Sequence, residues 1–279
     1  MRSGDPDDVR VGDLLAPPDI ADPAVALVGF PSDAGVVRNG GRAGAALAPV
    51  AIRTELARLT AGADATLRSL FERTIDLGDV SVSGDLEQDQ LRLGSLVAPW
   101  LTRGVLVVVL GGGHETTYGH FLAYASLERD VSILNWDAHT DVRPLVEGRG
   151  HSGSPFRQAL EHPSRRCRRY VVAGLQPPRV SAAHAHFIEQ AGGACHWRDD
   201  MTADLPGRLL AELTGDTLVS FDIDAVDSSA APGVSAPATN GLTTTEWLAA
   251  AQAAGRHPQT TSMDLVEVNP RVDIDGRTV

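Results

Sequence analysis

The sequence predicts an α/β protein whose parallel sheet is covered on both faces. Short apolar runs rich in β-branched residues recur along the 279-residue chain. Segments of helical periodicity lie between them, and the runs are apolar at successive positions, as in strands buried on two sides. VALVGF (25–30) and TIDLGDV (74–80) open the series, since Val and Ile suit a packed, pleated surface. A helix is expected over Leu86–Arg103, interrupted only by Pro99, then the strand VLVVVL (105–110) and a helix over Glu115–Arg129. VSILNW (131–136), YVVAGL (170–175) and TLVSFDI (217–223) continue the pattern, and ACHW (194–197) is a weaker candidate for an eighth strand. Thr244–Ala254 reads as a helix, for which Thr243, Thr244 and Thr245 offer an N-cap and Glu246 a capping box. SMDLVEV (262–268) closes the series. An open three-layer sandwich and a closed eightfold barrel both fit this order, and both bind ligands beyond the carboxyl ends of their strands.

Composition narrows the function classes. Lys and Arg number 24 against 36 Asp and Glu, and the resulting charge of −12 argues against nucleic acid or an anionic membrane as partner. Cationic small molecules fit better. The start, MRSGDPDDVRVGD, is acidic and polar where a secretory signal is basic and then apolar. The longest apolar run, Val105–Leu110, is far below the ~20 residues of a membrane span, so a cytoplasmic location is expected. Cys167 and Cys195 form no CxxC pair, which excludes a thiolate zinc site and leaves two inert thiols. The whole chain, 1–279, reads as one domain with residues 1–24 as an N-terminal extension.

Functional residues cluster where the apolar runs stop. LGGGHE follows one strand, DAHTD another, DID a third, and EVNP ends the last. Asp137, His139 and Asp141 stand at i, i+2 and i+4, so in an extended segment all three point the same way. Asp222 and Asp224 repeat the device, and His114 follows three glycines that let the backbone turn sharply. Four carboxylates converging with two imidazoles would repel one another, which two shared divalent cations would relieve. Oxygen-rich ligands with two imidazoles favour manganese over a structural zinc. Such a pair acidifies a bound water for attack on a planar carbon. Other motifs fail on spacing: HETTYGH has Tyr118 where a zincin helix needs histidine, and neither GGGHETTYGH nor GFPSDAG has a nucleotide-loop pattern.

Taken together, GGGHE, NWDAHTD, SFDIDAVD and LVEVNP, with the early loop NGGRAGAALAPVAIR, resemble the ureohydrolase family of arginases, agmatinases and formimidoylglutamases. The resemblance implies a three-layer α/β/α sandwich with a mainly parallel eight-stranded sheet. It implies that His114, Asp137, Asp141 and Asp222 serve one side of a binuclear manganese cluster, two Mn²⁺ per chain. His139 and Asp224 complete the other, with carboxylates shared. Arginases and agmatinases carry a proton-shuttling histidine in the stretch matching SGSPF, where this chain has Ser152. Formimidoylglutamases also read SGxPF there, and the tail NPRVDIDGRT is similar to theirs. Arg143 stands where arginases place a neutral asparagine, and its guanidinium suits a substrate with an additional carboxylate. Glu267 matches the family glutamate that faces the cationic amidine or guanidine.

The reaction expected is hydrolysis of N-formimino-L-glutamate to glutamate and formamide. Asp141 would orient the attacking water and take its proton, Glu267 would help stabilise the tetrahedral charge, and Arg143 would grip a carboxylate. A guanidine hydrolase releasing urea is the alternative, and a catalytically silent metal-binding protein a second one. His151 is adjacent to the vacated shuttle position, but strand alternation points it away. In the early loop Asn39-Gly40 is a turn signal, and Arg38, Asn39 or Arg42 would border the substrate, as would Ser152. Arg165, Arg166, Arg168 and Arg169 read as a solvated face. His120, His162, His184, His186, His196 and His257 lack ligand spacing and receive no role. Family members usually extend past the segment matching DGRTV, whereas this chain stops at Val279, so the trimers or hexamers common among them are not assumed for any homo-oligomer here.

Overall fold

The computed structural model describes residues 7–279. Eight strands form one sheet: β1 (Val25–Phe30), β2 (Thr74–Asp79), β3 (Leu106–Gly111), β4 (Val131–Trp136), β5 (Cys167–Leu175), β6 (Ala194–Trp197), β7 (Asp216–Asp222) and β8 (Thr260–Val266). Their order is β2-β1-β3-β8-β7-β4-β5-β6, and every pairing is parallel. The sheet is open, which decides between sandwich and barrel. ACHW is indeed the eighth strand, at one edge.

Alternation along each strand builds two cores. Val28, Phe30, Val107, Val109, Ile133 and Val172 face one side, where they meet Leu93 and Val97 of the helix Leu86–Thr102 and Phe121 of the helix Thr116–Ser126. Leu134, Trp136, Val171, Val219 and Phe221 face the other, against Leu205, Leu209, Ala250 and Ala254. Every residue of β1 and β4 is buried, which is why their sequences show no polar alternation. The helix Thr244–Arg256 starts with the expected capping box: Thr243 accepts from the Glu246 N–H, and Glu246 accepts from the Thr243 N–H.

The described part of the N-terminal extension is docked on the sheet. Ala16 bridges to Ile75 of edge strand β2, its N–H donating to Thr74 O at 2.9 Å, and the Val11 N–H donates to Leu59 O at 2.9 Å. Residues 1–6 of the acidic start lie outside the described residues. Both cysteines are free, and burial pushes their thiols up, to about 12 for Cys167 and about 11 for Cys195. The basic stretch at the start of β5 is paired over three residues: Arg166 and Arg168 reach Asp130 at 3.0 and 2.9 Å, and Arg169 reaches Glu212 at 3.4 Å. Among the described residues no helix is long and apolar enough to cross a membrane.

Candidate active site

The strands β3, β8, β7 and β4 are consecutive neighbours in the sheet, and the acids and histidines follow their carboxyl ends. Adjacent strands lie about 4.8 Å apart, so residues separated by more than a hundred positions arrive at one place. His114 leaves β3, Glu267 leaves β8, Asp222 and Asp224 leave β7, and Asp137, His139 and Asp141 leave β4.

Two overlapping groups result. In the first, His114 Nδ1 lies 3.0 Å from Asp141 Oδ2, 3.0 Å from Asp222 Oδ2 and 3.5 Å from Asp137 Oδ2. In the second, His139 Nδ1 lies 3.3 Å from both Asp137 Oδ1 and Asp224 Oδ2. Asp137 thus offers one oxygen to each group. Within each group the ligand atoms all fall within 4.8 Å of one another. Burial disfavours the charged carboxylate, so Asp222 is raised well above its ordinary value and Asp224 and Glu267 are raised too, Glu267 to about 8. Burial lowers His139, but Asp224 and Asp137 outweigh it and raise the ring to about 12. Groups packed this closely must hold either protons or cations.

The donor set fits divalent cations. His114 Nδ1 and Asp224 Oδ1 are buried without a hydrogen-bond partner, and both belong to the two groups. Six N and O ligands without a thiolate suit a metal such as manganese.

The backbone that presents these ligands differs from the extended reading. Residues 137–141 form a bend, not a strand, and Asp141 has φ +45°. The Asp137 side chain holds the bend by accepting from the His139 N–H at 2.7 Å, and Asp222 does the same for Asp224 N–H at 2.8 Å at the start of a short 3₁₀ turn. Asp141 and Glu267 (φ +66°) are both non-glycine residues in the left-handed region. Both are positions expected to do chemistry, and the five other non-glycine residues with positive φ among those described lie in turns and loops elsewhere. Glu267 Oε1 accepts from the His114 N–H at 2.9 Å, which joins the tips of β3 and β8.

A cleft of about 270 Å³ opens over both groups, lined by His139, Asp141, Asp222, Asp224 and Glu267 and, on its walls, by Asn39, Arg143, Ser152, Ser235 and Ala236. Arg143 Nη1 donates to Asn39 Oδ1 at 3.2 Å, and Asn39 Nδ2 donates to Ser152 Oγ at 3.1 Å. The three wall residues expected near the substrate therefore form one chain. Gly153 is needed here, because a Cβ would sit 2.9 Å from Arg143 Cδ. His151 is not on the cleft: Nε2 faces Pro144 O at 3.0 Å and Nδ1 accepts from the Gly153 N–H at 3.1 Å. It does not replace the shuttle histidine.

Of Arg38, Asn39 and Arg42, Asn39 is the one that lines the cleft. Arg38 bonds Glu87 and Gly150 O. Arg42 bonds Val234 O and, at 3.2 Å, Ser235 O, while Arg179 bonds Ala236 O at 3.4 Å and Pro237 O. Four consecutive carbonyls of the 234–237 strap are thus held by two guanidinium groups. The sequence also gave no role to His120, yet it is fully buried beside the site, with Nδ1 2.9 Å from Asp264 Oδ2. A signal was present: Asp264 sits mid-strand in an otherwise apolar run.

A model of the Arginase family matches residues 23–279. The chain belongs to the arginase family. Arginase-family relatives carry the comparison further. The chain is 37% identical to formimidoylglutamase of Geobacillus kaustophilus, over 97% of this chain and 85% of that one. Among solved structures it resembles Trypanosoma cruzi formiminoglutamase with Mn²⁺₂, at a TM-score of 0.87 and 33% identity, covering 97% and 93% of the two chains. Formimidoylglutamase from Bacillus subtilis gives a TM-score of 0.87 at 25% identity, covering all of this chain and 89% of that one. The arginase-like fold implied by the sequence motifs is the fold observed.

Proposed function

We propose that this protein is a formimidoylglutamase that hydrolyses N-formimino-L-glutamate to L-glutamate and formamide, with two Mn²⁺ ions held by His114, Asp137, Asp141 and Asp222 on one side and Asp137, His139 and Asp224 on the other. The observation that carries the substrate is the Arg143–Asn39–Ser152 wall: a cation where a dicarboxylate must be gripped, and a serine where arginases carry their histidine. When bound, the ions supply an acidified water and polarise the amidine.

Asp141 lies in the cleft, 3.0 Å from His114 Nδ1, and is placed to accept the proton of the attacking water. Water oxygen joins the amidine carbon, the bond from that carbon to the glutamate nitrogen breaks, and the proton held by Asp141 passes to the departing nitrogen. Glu267, which lines the cleft, would be ionised by an arriving amidinium and oppose its positive charge. Arg143 pairs with a substrate carboxylate, and Ser152 contributes a hydroxyl beside it.

The test is a substrate panel with manganese-loaded protein: formiminoglutamate, arginine, agmatine and 4-guanidinobutyrate. Formamide and glutamate from the first, and no urea from the others, is the expected result. Urea from a guanidine with no formamide would overturn the assignment. Arg143→Ala should raise KM for formiminoglutamate about 10- to 100-fold with little change in kcat, as for a lost charged hydrogen bond.

A further inference from the structure

Behind the first ligand group runs a buried polar chain that touches no substrate. His114 Nε2 lies 3.0 Å from Ser220 Oγ, Ser220 Oγ donates to Asp264 Oδ1 at 2.6 Å, and Asp264 Oδ2 lies 2.9 Å from His120 Nδ1. His114, Ser220 and His120 are completely buried and Asp264 nearly so, and Ser220 and Asp264 are register partners on β7 and β8. Thr117, one turn before His120 on the same helix, approaches Ser220 Oγ at 3.2 Å.

We propose that Ser220, Asp264 and His120 are positioning residues that set the tautomer of His114, and through it the affinity of one metal ion. The proposal rests on the metal reading above. A hydroxyl has one hydrogen, and that of Ser220 is given to Asp264. Only acceptor lone pairs remain on Ser220 Oγ, so the facing Nε2 of His114 must carry the ring proton. The bare nitrogen is then Nδ1, which has no hydrogen-bond partner and faces three carboxylates at 3.0 to 3.5 Å. Lone pairs on both sides of those gaps repel unless a proton or a metal ion stands between them, and a ring already protonated on Nε2 gives up that second proton to a divalent cation. His120 closes the far end by donating from Nδ1 to Asp264. Among the described residues His139 has a different neighbour, its Nε2 lying 3.2 Å from Arg179 Nη1.

Asp264→Asn tests this. An amide can donate where the carboxylate accepts, which turns Ser220 round to donate to Nε2 and leaves the proton on Nδ1. Equilibrium dialysis against Mn²⁺ should show one of the two sites weakened about 10- to 100-fold while the other holds its affinity. Electron paramagnetic resonance should show the coupled two-ion signal giving way to a one-ion spectrum at intermediate Mn²⁺. Circular dichroism checks that the variant folds, and Ser220→Ala, which removes the acceptor, gives the same site-selective loss where Asp264→Asn does not fold. Unchanged binding in a folded variant, or equal weakening of both sites, overturns the relay. Wild-type protein that binds no Mn²⁺ overturns the metal reading together with it.

Discussion

Asp141 has both a ligand position and a left-handed backbone, φ +45°. Aspartate and asparagine tolerate that region better than other non-glycine residues, so Asp141→Asn should keep the bend while losing the charge and the base. The expected outcome is a fall in kcat of about 10²- to 10⁴-fold, the usual range for a lost general base, in protein that still folds. Steady-state kinetics with metal content measured alongside checks it, and wild-type kcat would remove Asp141 from the proposed chemistry. The six residues that converge in the two groups could be read from the sequence, but the backbone that presents them could not. Alternation at i, i+2 and i+4 predicted an extended segment, whereas the side chains of Asp137 and Asp222 fold the backbone back on itself through bonds to N–H groups two residues on. Such local capture of the backbone by aspartate leaves no period in the sequence.

At the level of elements, strands such as β1 and β4 were legible because both faces of the sheet are covered there, which makes them continuous apolar runs, while the half-buried edge strand β6 left only the weaker ACHW signal. Docking of residues 7–24 on β2 was not, since one bridging pair at a sheet edge needs no pattern. The relay behind His114 depends on register, Ser220 opposite Asp264, which no single strand reveals. The turn after β3 is the most constrained element at the site. A Cβ on Gly112 would lie 1.9 Å from Ser32 O, a backbone atom that no change of rotamer can move aside. Gly112→Ala must displace the loop that carries His114 or the one that follows β1. A loss of about 1–3 kcal/mol or more is expected by denaturant unfolding, as for an overpacked core position. Stability equal to wild type would show that the two loops yield freely.

Across the whole molecule, buried protons link acidity to stability. Burial raises Glu115 to about 7, and burial with neighbouring acids raises Glu267 to about 8, both from 4.5, while His139 rises from 6.5 to about 12. Through these groups the native metal-free protein keeps protons that the unfolded chain has lost between about pH 4.5 and 8, a contribution to stability that falls as pH rises and that His162, His184 and His196, lowered by burial, partly oppose. On the metal reading, manganese would compete with the protons that burial and close packing favour on Asp222, Asp224 and His139, so its stabilisation would grow with pH. Thermal melts in chelator should show Tm decreasing from about pH 5 to pH 8. The gain in Tm on adding Mn²⁺ should widen over the same interval, and a gap that narrows would contradict the linkage. Global order in the sheet made the site's address predictable, while its rim depends on three loops meeting. Arg42 enters from the segment after β1, Arg179 from that after β5, and the strap they grasp follows β7. The mouth of the cleft is consequently braced: widening it for a bulkier guest would mean prising backbone oxygens from two cations at once.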